Sequence, residues 1–250
     1  INAYPFKFKK RMSHKNPITI VKETDNWLVI SKPPFVPSLP ERGKFTAESV
    51  MDWSRRFWPD AILCHRIDRE TSGALVIAKD AETYRAISMQ FEHREVTKIY
   101  HAFVDGHHKF DDLLIDLPIV NYGKSNVKID KIDGKKAETY FKTLQYFKHY
   151  TLIECKPLTG RMHQIRIHLA TQRASITGDD LYGGKPFMLS SVKRNYRLSK
   201  EQEEQPIMKR FALHARAIGF KLADETAISI EAPYPKDFDT MLKMLQKFYV

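Results

Sequence analysis

Residues 65–73 read HRIDRETSG. Within them the carboxylate of Asp68 stands among Arg66 and Arg69, with His65 and Glu70 close by. The apolar run ALVIAKD follows at once, so this charge sits at the mouth of a core strand. A carboxylate placed there can attack as a nucleophile and form a covalent intermediate. It can equally remove a proton as a base. A structural ion pair with Arg66 or Arg69 accounts for the same residues, and a solvated Glu70 needs no further role. This segment alone leaves these readings open.

Several other chemistries lack their residues. There is no GxxxxGK[ST] phosphate loop and no GxGxxG dinucleotide turn. There is no GxSxG nucleophile elbow, and no HxE with PCxxC as in zinc deaminases. His163 and His168 are five positions apart, the wrong spacing for two ligands on one helix face. No metal is expected. The chain has two cysteines, Cys64 and Cys155, and no CxxC. That excludes a zinc ribbon, argues against a disulfide framework, and points to a reducing, cytoplasmic compartment.

The 250 residues include 41 Lys and Arg against 30 Asp and Glu, a formal net charge of +11. Such a surface attracts phosphate backbones or anionic membranes, although charge alone also serves solubility. No apolar run reaches the roughly 18 residues of a membrane helix. The first stretch interleaves Tyr4, Phe6 and Phe8 with Lys7, Lys9, Lys10 and Arg11. It suits a nucleic-acid arm or a linker. Two regions are expected: a basic arm or linker over 1–17 and one catalytic domain over 18–250. The chain begins with Ile, so a preceding segment is allowed for.

The elements that must hold these residues follow from patterning. ITIVKETDNWLVISKP reads as two strands around Thr24-Asp25-Asn26. PPFVPSLPERGKF is proline-rich loop. FTAESVMDWSRRFW has helical spacing, with Val50, Trp53 and Phe57 on one face. ALVIA is a strand, Asp80 caps a helix beginning at Ala81, and KIYHAFVDG alternates as a strand. AETYFKTLQYF and YTLIECKPL form a strand pair. TGRMHQIRIHLATQ is helical with Thr159 as cap candidate, GDDLYGG is a turn, and 188–209 is an exposed loop or short helix. HARAIGFKL and TAISIEAP are strands, and PKDFDTMLKMLQKF is an amphipathic closing helix. Without regular βαβ alternation this predicts an α+β fold, a mixed and mainly antiparallel sheet with flanking helices and a cleft.

HRIDRETSGALVIAKD, KIYHAFVDG at 98–106, PLTGRMHQIRIHLA at 157–170 with GDDLYG after it, and RFALHARAIGF at 210–220 occur in that order. Together they make the chain resemble the RluA family of RNA pseudouridine synthases over roughly residues 18 to 248, with Ile67 where the family's motif usually has Leu. The resemblance implies the pseudouridine synthase fold and isomerisation of uridine in RNA. It implies Asp68 as catalytic carboxylate, Tyr100 as active-site tyrosine and Arg166 as basic partner of the aspartate. It places Arg66, Arg161, His163 and Gln164 as residues that line or support the site. Neither metal nor cofactor is implied. The expected partner is RNA, ribosomal RNA of the large subunit ahead of tRNA, with no membrane, and the protein is expected to be a monomer.

The chemistry agrees with these roles. The bond from uracil N1 to the ribose C1′ breaks, the base turns, and C5 bonds to C1′. An arginine lowers and orients the ionised carboxylate, the tyrosine offers a face for the ring, and the target nucleotide leaves its stack. Two other readings compete. One is a non-catalytic RNA-binding protein on the same fold, which the joint presence of Asp68, Tyr100 and Arg166 disfavours. The other is a two-carboxylate glycosidase, with Glu70 as the second acid.

Overall fold

The computed structural model describes residues 18–41, 47–123, 126–193, 196 and 203–248. The basic arm expected over 1–17 lies outside them. The chain runs β1 (Thr19–Glu23), β2 (Trp27–Lys32), α1 (Val50–Arg55), β3 (Ile62–Leu63), β4 (Ser72–Ala78), α2 (Ala81–Glu92), β5 (Thr97–Asp105), β6 (Leu113–Asp116), β7 (Ile119–Tyr122), β8 (Asn126–Ile129), β9 (Glu138–Tyr146), β10 (Tyr150–Pro157), α3 (Gln164–Thr171), β11 (Leu213–Lys221), β12 (Ala227–Glu231) and α4 (Lys236–Phe248). One ten-stranded sheet has the order β1-β2-β4-β11-β5-β10-β9-β6, with β12 beside β11 and β3 beside β4. β7 and β8 form a separate hairpin. Within the ten-stranded sheet only β4 and β11 pair in parallel. This is the mixed, mainly antiparallel α+β architecture that the patterning predicts.

A continuous apolar strand needs cover on both faces. β4 is buried along its whole length. Leu75 and Ile77 pack on Val50 and Trp53 of α1. Ala74 and Val76 pack on the other side, with Ile87 of α2 and Ile218 of β11. Both helices begin at side-chain caps: Ser49 and Asp80 accept from the backbone N–H of Asp52 and Thr83. The far half of the sheet packs Phe103, Phe141 and Ile153 against Leu169 of α3 and Phe238 of α4.

The parallel junction brings the chemistry together. His214 pairs with Ser72 and Ala215 with Gly73, while Tyr100 of β5 also lies level with Ala215. Gly73 and Tyr100 thus stand two strand spacings apart, about 10 Å, at the same end of the sheet. Gly73 has φ of 118°, and a Cβ there would stand 2.1 Å from the Ala215 carbonyl oxygen. Thr71-Ser72-Gly73 reads in the sequence as the tight turn that returns the chain to the core, but the turn is Asp68–Thr71, closed by Thr71 N–H donating to the Asp68 carbonyl at 3.1 Å. Gly73 is already strand, and it is glycine because two backbones touch there.

α3 also begins later than its spacing suggests. His163 takes a left-handed conformation with φ of 54°, so helix starts only at Gln164. Thr159 is not a cap; its hydroxyl donates to Gln164 Oε1 at 2.8 Å. All residues from Gln164 to Leu169 are buried. The described part of 188–209 contains no helix and is not wholly exposed, because Val192 and Met208 join the core.

Candidate active site

Asp68, Tyr100 and Arg166 line one cleft of about 520 Å³, at the end of the sheet where β4, β11 and β5 meet. Arg66, Arg161, His163 and Gln164 line the same cleft. The structure therefore brings together all seven residues singled out in the sequence.

The Asp68 turn is built from its carbonyls. Ser38 Oγ donates to Ile67 O at 2.8 Å, and Thr71 N–H to Asp68 O. Lys32 Nζ donates to Arg69 O at 2.9 Å, and Phe35 N–H shares that acceptor. Arg210 Nη1 donates to Glu70 O at 3.0 Å. Of these four successive carbonyls three are held by groups from two distant segments, residues 32–38 and Arg210, and one by Thr71 within the turn, so the backbone under Asp68 is fixed before any ligand arrives. Lys32 spends its remaining donors on Pro33 O and Val36 O. Arg210 is 3% exposed and completes its bonding with Ser72 Oγ and a two-point pair to Asp237.

The carboxylate itself is left open. Among the described residues Asp68 makes no ion pair and no side-chain hydrogen bond. Arg69 turns to Glu41 at 3.2 Å, and Arg66 is exposed without an ion pair among the described residues. The structural ion pair weighed for this segment is therefore not formed. Glu70, considered as a second acid, does not line the cleft. The Asp68 charge still reaches its neighbours: it adds to the burial that pushes the Tyr100 phenol up, and it acts on Arg166, His163 and Tyr182.

Arg166 has a different partner from the one the resemblance implies. Its Nε and Nη2 each donate at 2.7 Å to the two carboxylate oxygens of Asp179. Both residues are buried, Asp179 completely. The guanidinium carbon lies 4.3 Å from the Phe211 ring centre and 5.0 Å from that of Tyr182. A bidentate pair between two rings fixes orientation as well as charge. Arg166 thus presents a fixed cation to the cleft and leaves Asp68 free.

The remaining residues shape the walls. His163 Nδ1 and Tyr182 OH are 3.0 Å apart. Burial, then the Arg166 charge, keeps His163 below its ordinary pKa. Gln164 accepts from Thr159 Oγ1 and Arg161 N, and donates to Glu138 O and Thr139 Oγ1. Its amide is therefore engaged in holding the 157–161 loop. Arg161 Nε donates to Lys136 O at 3.1 Å. Sequence reasoning missed Asp179, Lys32 and Arg210. Their signals were present: a lysine closing the apolar strand WLVISK, an arginine opening RFALHA, and an acid after the glycine of GDD.

Comparison with known proteins gives the family. The family described as RNA pseudouridylate synthase matches residues 26–171. Ribosomal large subunit pseudouridine synthase C of Vibrio vulnificus is 32% identical over 232 residues, covering 91% of this chain and 69% of that protein. Ribosomal large subunit pseudouridine synthase D of Zymomonas mobilis is 30% identical over 242 residues, covering 92% and 73%. Among solved structures, human RNA Pseudouridylate Synthase Domain Containing 4 superposes with a TM-score of 0.68 at 23% identity, covering 91% of this chain and 93% of that one, which shows the fold. The chain belongs to the RNA pseudouridylate synthase family, as its RluA-type motifs imply, and is an isomerase.

Proposed function

We propose that the protein converts specific uridines of large-subunit ribosomal RNA to pseudouridine, with Asp68 as the catalytic carboxylate. The observation that carries this reading is an open carboxylate on a rigid turn, in the same cleft as Tyr100 and a fixed Arg166. The relatives named for the large ribosomal subunit favour that RNA over tRNA.

The target nucleotide leaves its stack and enters the cleft, at a cost of a few kcal/mol. Tyr100 supplies a flat wall for the uracil, and burial keeps its phenol protonated. Asp68 attacks as a nucleophile or takes a ribose proton as a base; in both routes it must be ionised. Arg166 holds a positive charge in the same cleft from its fixed position. The N1–C1′ bond breaks, C5 bonds to C1′, the C5 hydrogen leaves to solvent and N1 gains a proton. No metal or cofactor enters this balance. Among the described residues no helix is long and apolar enough to cross a membrane.

The test is to incubate the protein with unmodified transcripts of large-subunit rRNA and of tRNA and to map pseudouridine by sequencing. New pseudouridine at discrete rRNA positions is the expected result. Modification of tRNA alone overturns the choice of RNA, and binding of either RNA without modification returns the protein to the RNA-binding reading.

A further inference from the structure

We propose that Lys98, with Arg94 and Arg161 at the rim, forms a phosphate subsite that holds the RNA backbone beside the target uridine. The proposal rests on reading this cleft as the site of uridine isomerisation.

Lys98 lies two residues before Tyr100 on β5, so both side chains leave the same face of the sheet. Both line the cleft. Lys98 Nζ makes one hydrogen bond among the described residues, to the Thr159 carbonyl at 3.3 Å. No carboxylate stands within ion-pair distance of it among those residues. The neighbours cannot compensate the charge. His65 Nε2 accepts from Val76 N–H at 3.1 Å, so its proton is on Nδ1. Burial, then the Lys98 charge itself, lowers His65 to about 3, and it stays neutral. Burial raises the Cys64 thiol to about 12, so it is neutral too.

A half-buried ammonium without an anion carries an uncompensated desolvation cost. Burial, then repulsion from Arg94, lowers Lys98 to about 8, which still leaves it mostly charged near pH 7. Two further cations stand at the mouth. Arg94 reaches Glu138 at 3.2 Å from an exposed position. Arg161 has only its Nε bonded, to a neutral carbonyl, among the described residues. Glu92 is the acid on the same rim and pairs with none of the three. An anion entering from outside would complete the set.

Strand geometry favours a phosphate as that anion. Residues two apart on a strand are about 7 Å apart. That is the reach from a base lying against Tyr100 to its own backbone. A neutral uracil edge would leave the ammonium uncompensated, whereas a phosphodiester oxygen supplies the missing charge.

The experiment is filter binding of a large-subunit rRNA transcript between 50 and 200 mM salt, with wild type, Lys98→Gln and Lys98→Arg. Each lost phosphate contact reduces the slope of log K against log salt by about 0.7 to 0.9. Lys98→Gln is therefore expected to lose roughly threefold less affinity than wild type across that range, from a weaker start. Lys98→Arg is expected to keep the wild-type slope. Lys98→Met, which keeps the packed stem, replaces the Gln variant if the latter does not melt like wild type. An unchanged slope in the Gln or Met variant overturns the subsite, whether or not affinity falls. Tritium release by wild type from C5-labelled transcript reads the isomerase activity separately. Release with an unchanged slope overturns the subsite alone; no release with a reduced slope overturns the proposed function and leaves the phosphate contact standing.

Discussion

Asp179→Asn would leave the Arg166 guanidinium buried without its anion. The pair has two bonds of 2.7 Å, and Asp179 has no solvent exposure. Breaking such a pair from one side costs roughly 3–5 kcal/mol, and an asparagine oxygen recovers part of that through one hydrogen bond. A net loss of about 3 kcal/mol corresponds to a fall in Tm of roughly 6–12 °C for a chain of this size. Removing both charges is a different perturbation. Arg166→Met with Asp179→Leu leaves no unpaired charge, and such replacements are often neutral in stability. The double variant is expected to melt within a few degrees of wild type. Turnover is expected to be lost in it, because the fixed Arg166 cation is gone from the Asp68 cleft. Melting by circular dichroism and tritium release from C5-labelled RNA give the two readouts. Turnover in the double variant would refute the role of Arg166. A single variant that melts like wild type would refute the energetic reading of the pair.

Three further outcomes are expected. Gly73→Ala places a Cβ against the Ala215 carbonyl at a φ that L-residues avoid; a loss of more than about 4 kcal/mol in chemical denaturation is expected, and a small loss would contradict the close approach of β4 and β11. Arg210→Met strips its bonds to Glu70 O and Ser72 Oγ and leaves Asp237 without its arginine; a loss of roughly 3–5 kcal/mol is expected, with unchanged denaturation as the opposing result. Lys98 titrates near 8 in the folded protein against an ordinary 10.5. Between those values the unfolded chain holds a proton that the folded chain lacks, so this group makes stability rise with pH across that window. Lys98→Met is expected to flatten that slope in denaturation series from pH 8 to 10, and an identical slope would contradict the burial of the ammonium.

The fold was legible where pattern and burial coincide. The apolar run of β4 and the cap at Asp80 are local signals, and the structure places them as expected; the Ser49 cap of α1 is seen only in the fold. The start of α3 was not legible, because the left-handed His163 and the Thr159–Gln164 bond are set by the loop that Gln164 holds. Residues 107–137 carry dense charge over short strands and gave no periodic signal. In the site, the type and order of Asp68, Tyr100 and Arg166 were readable. The partner of Arg166 was not, since charge counts cannot tell which of Asp68 and Asp179 is buried with it. The clamp of Lys32 and Arg210 on the Asp68 turn joins segments far apart in sequence, so only the folded chain displays it.

The central claim is that Asp68 is chemically essential and structurally dispensable. Its carboxylate has no ion pair among the described residues, so Asp68→Asn is expected to change stability by less than about 0.5 kcal/mol. The decisive measurement is tritium release from large-subunit rRNA labelled at uracil C5, with wild type and Asp68→Asn side by side. Release by wild type and none by an equally stable variant is the predicted result. Release by Asp68→Asn at a rate near that of wild type would contradict the account.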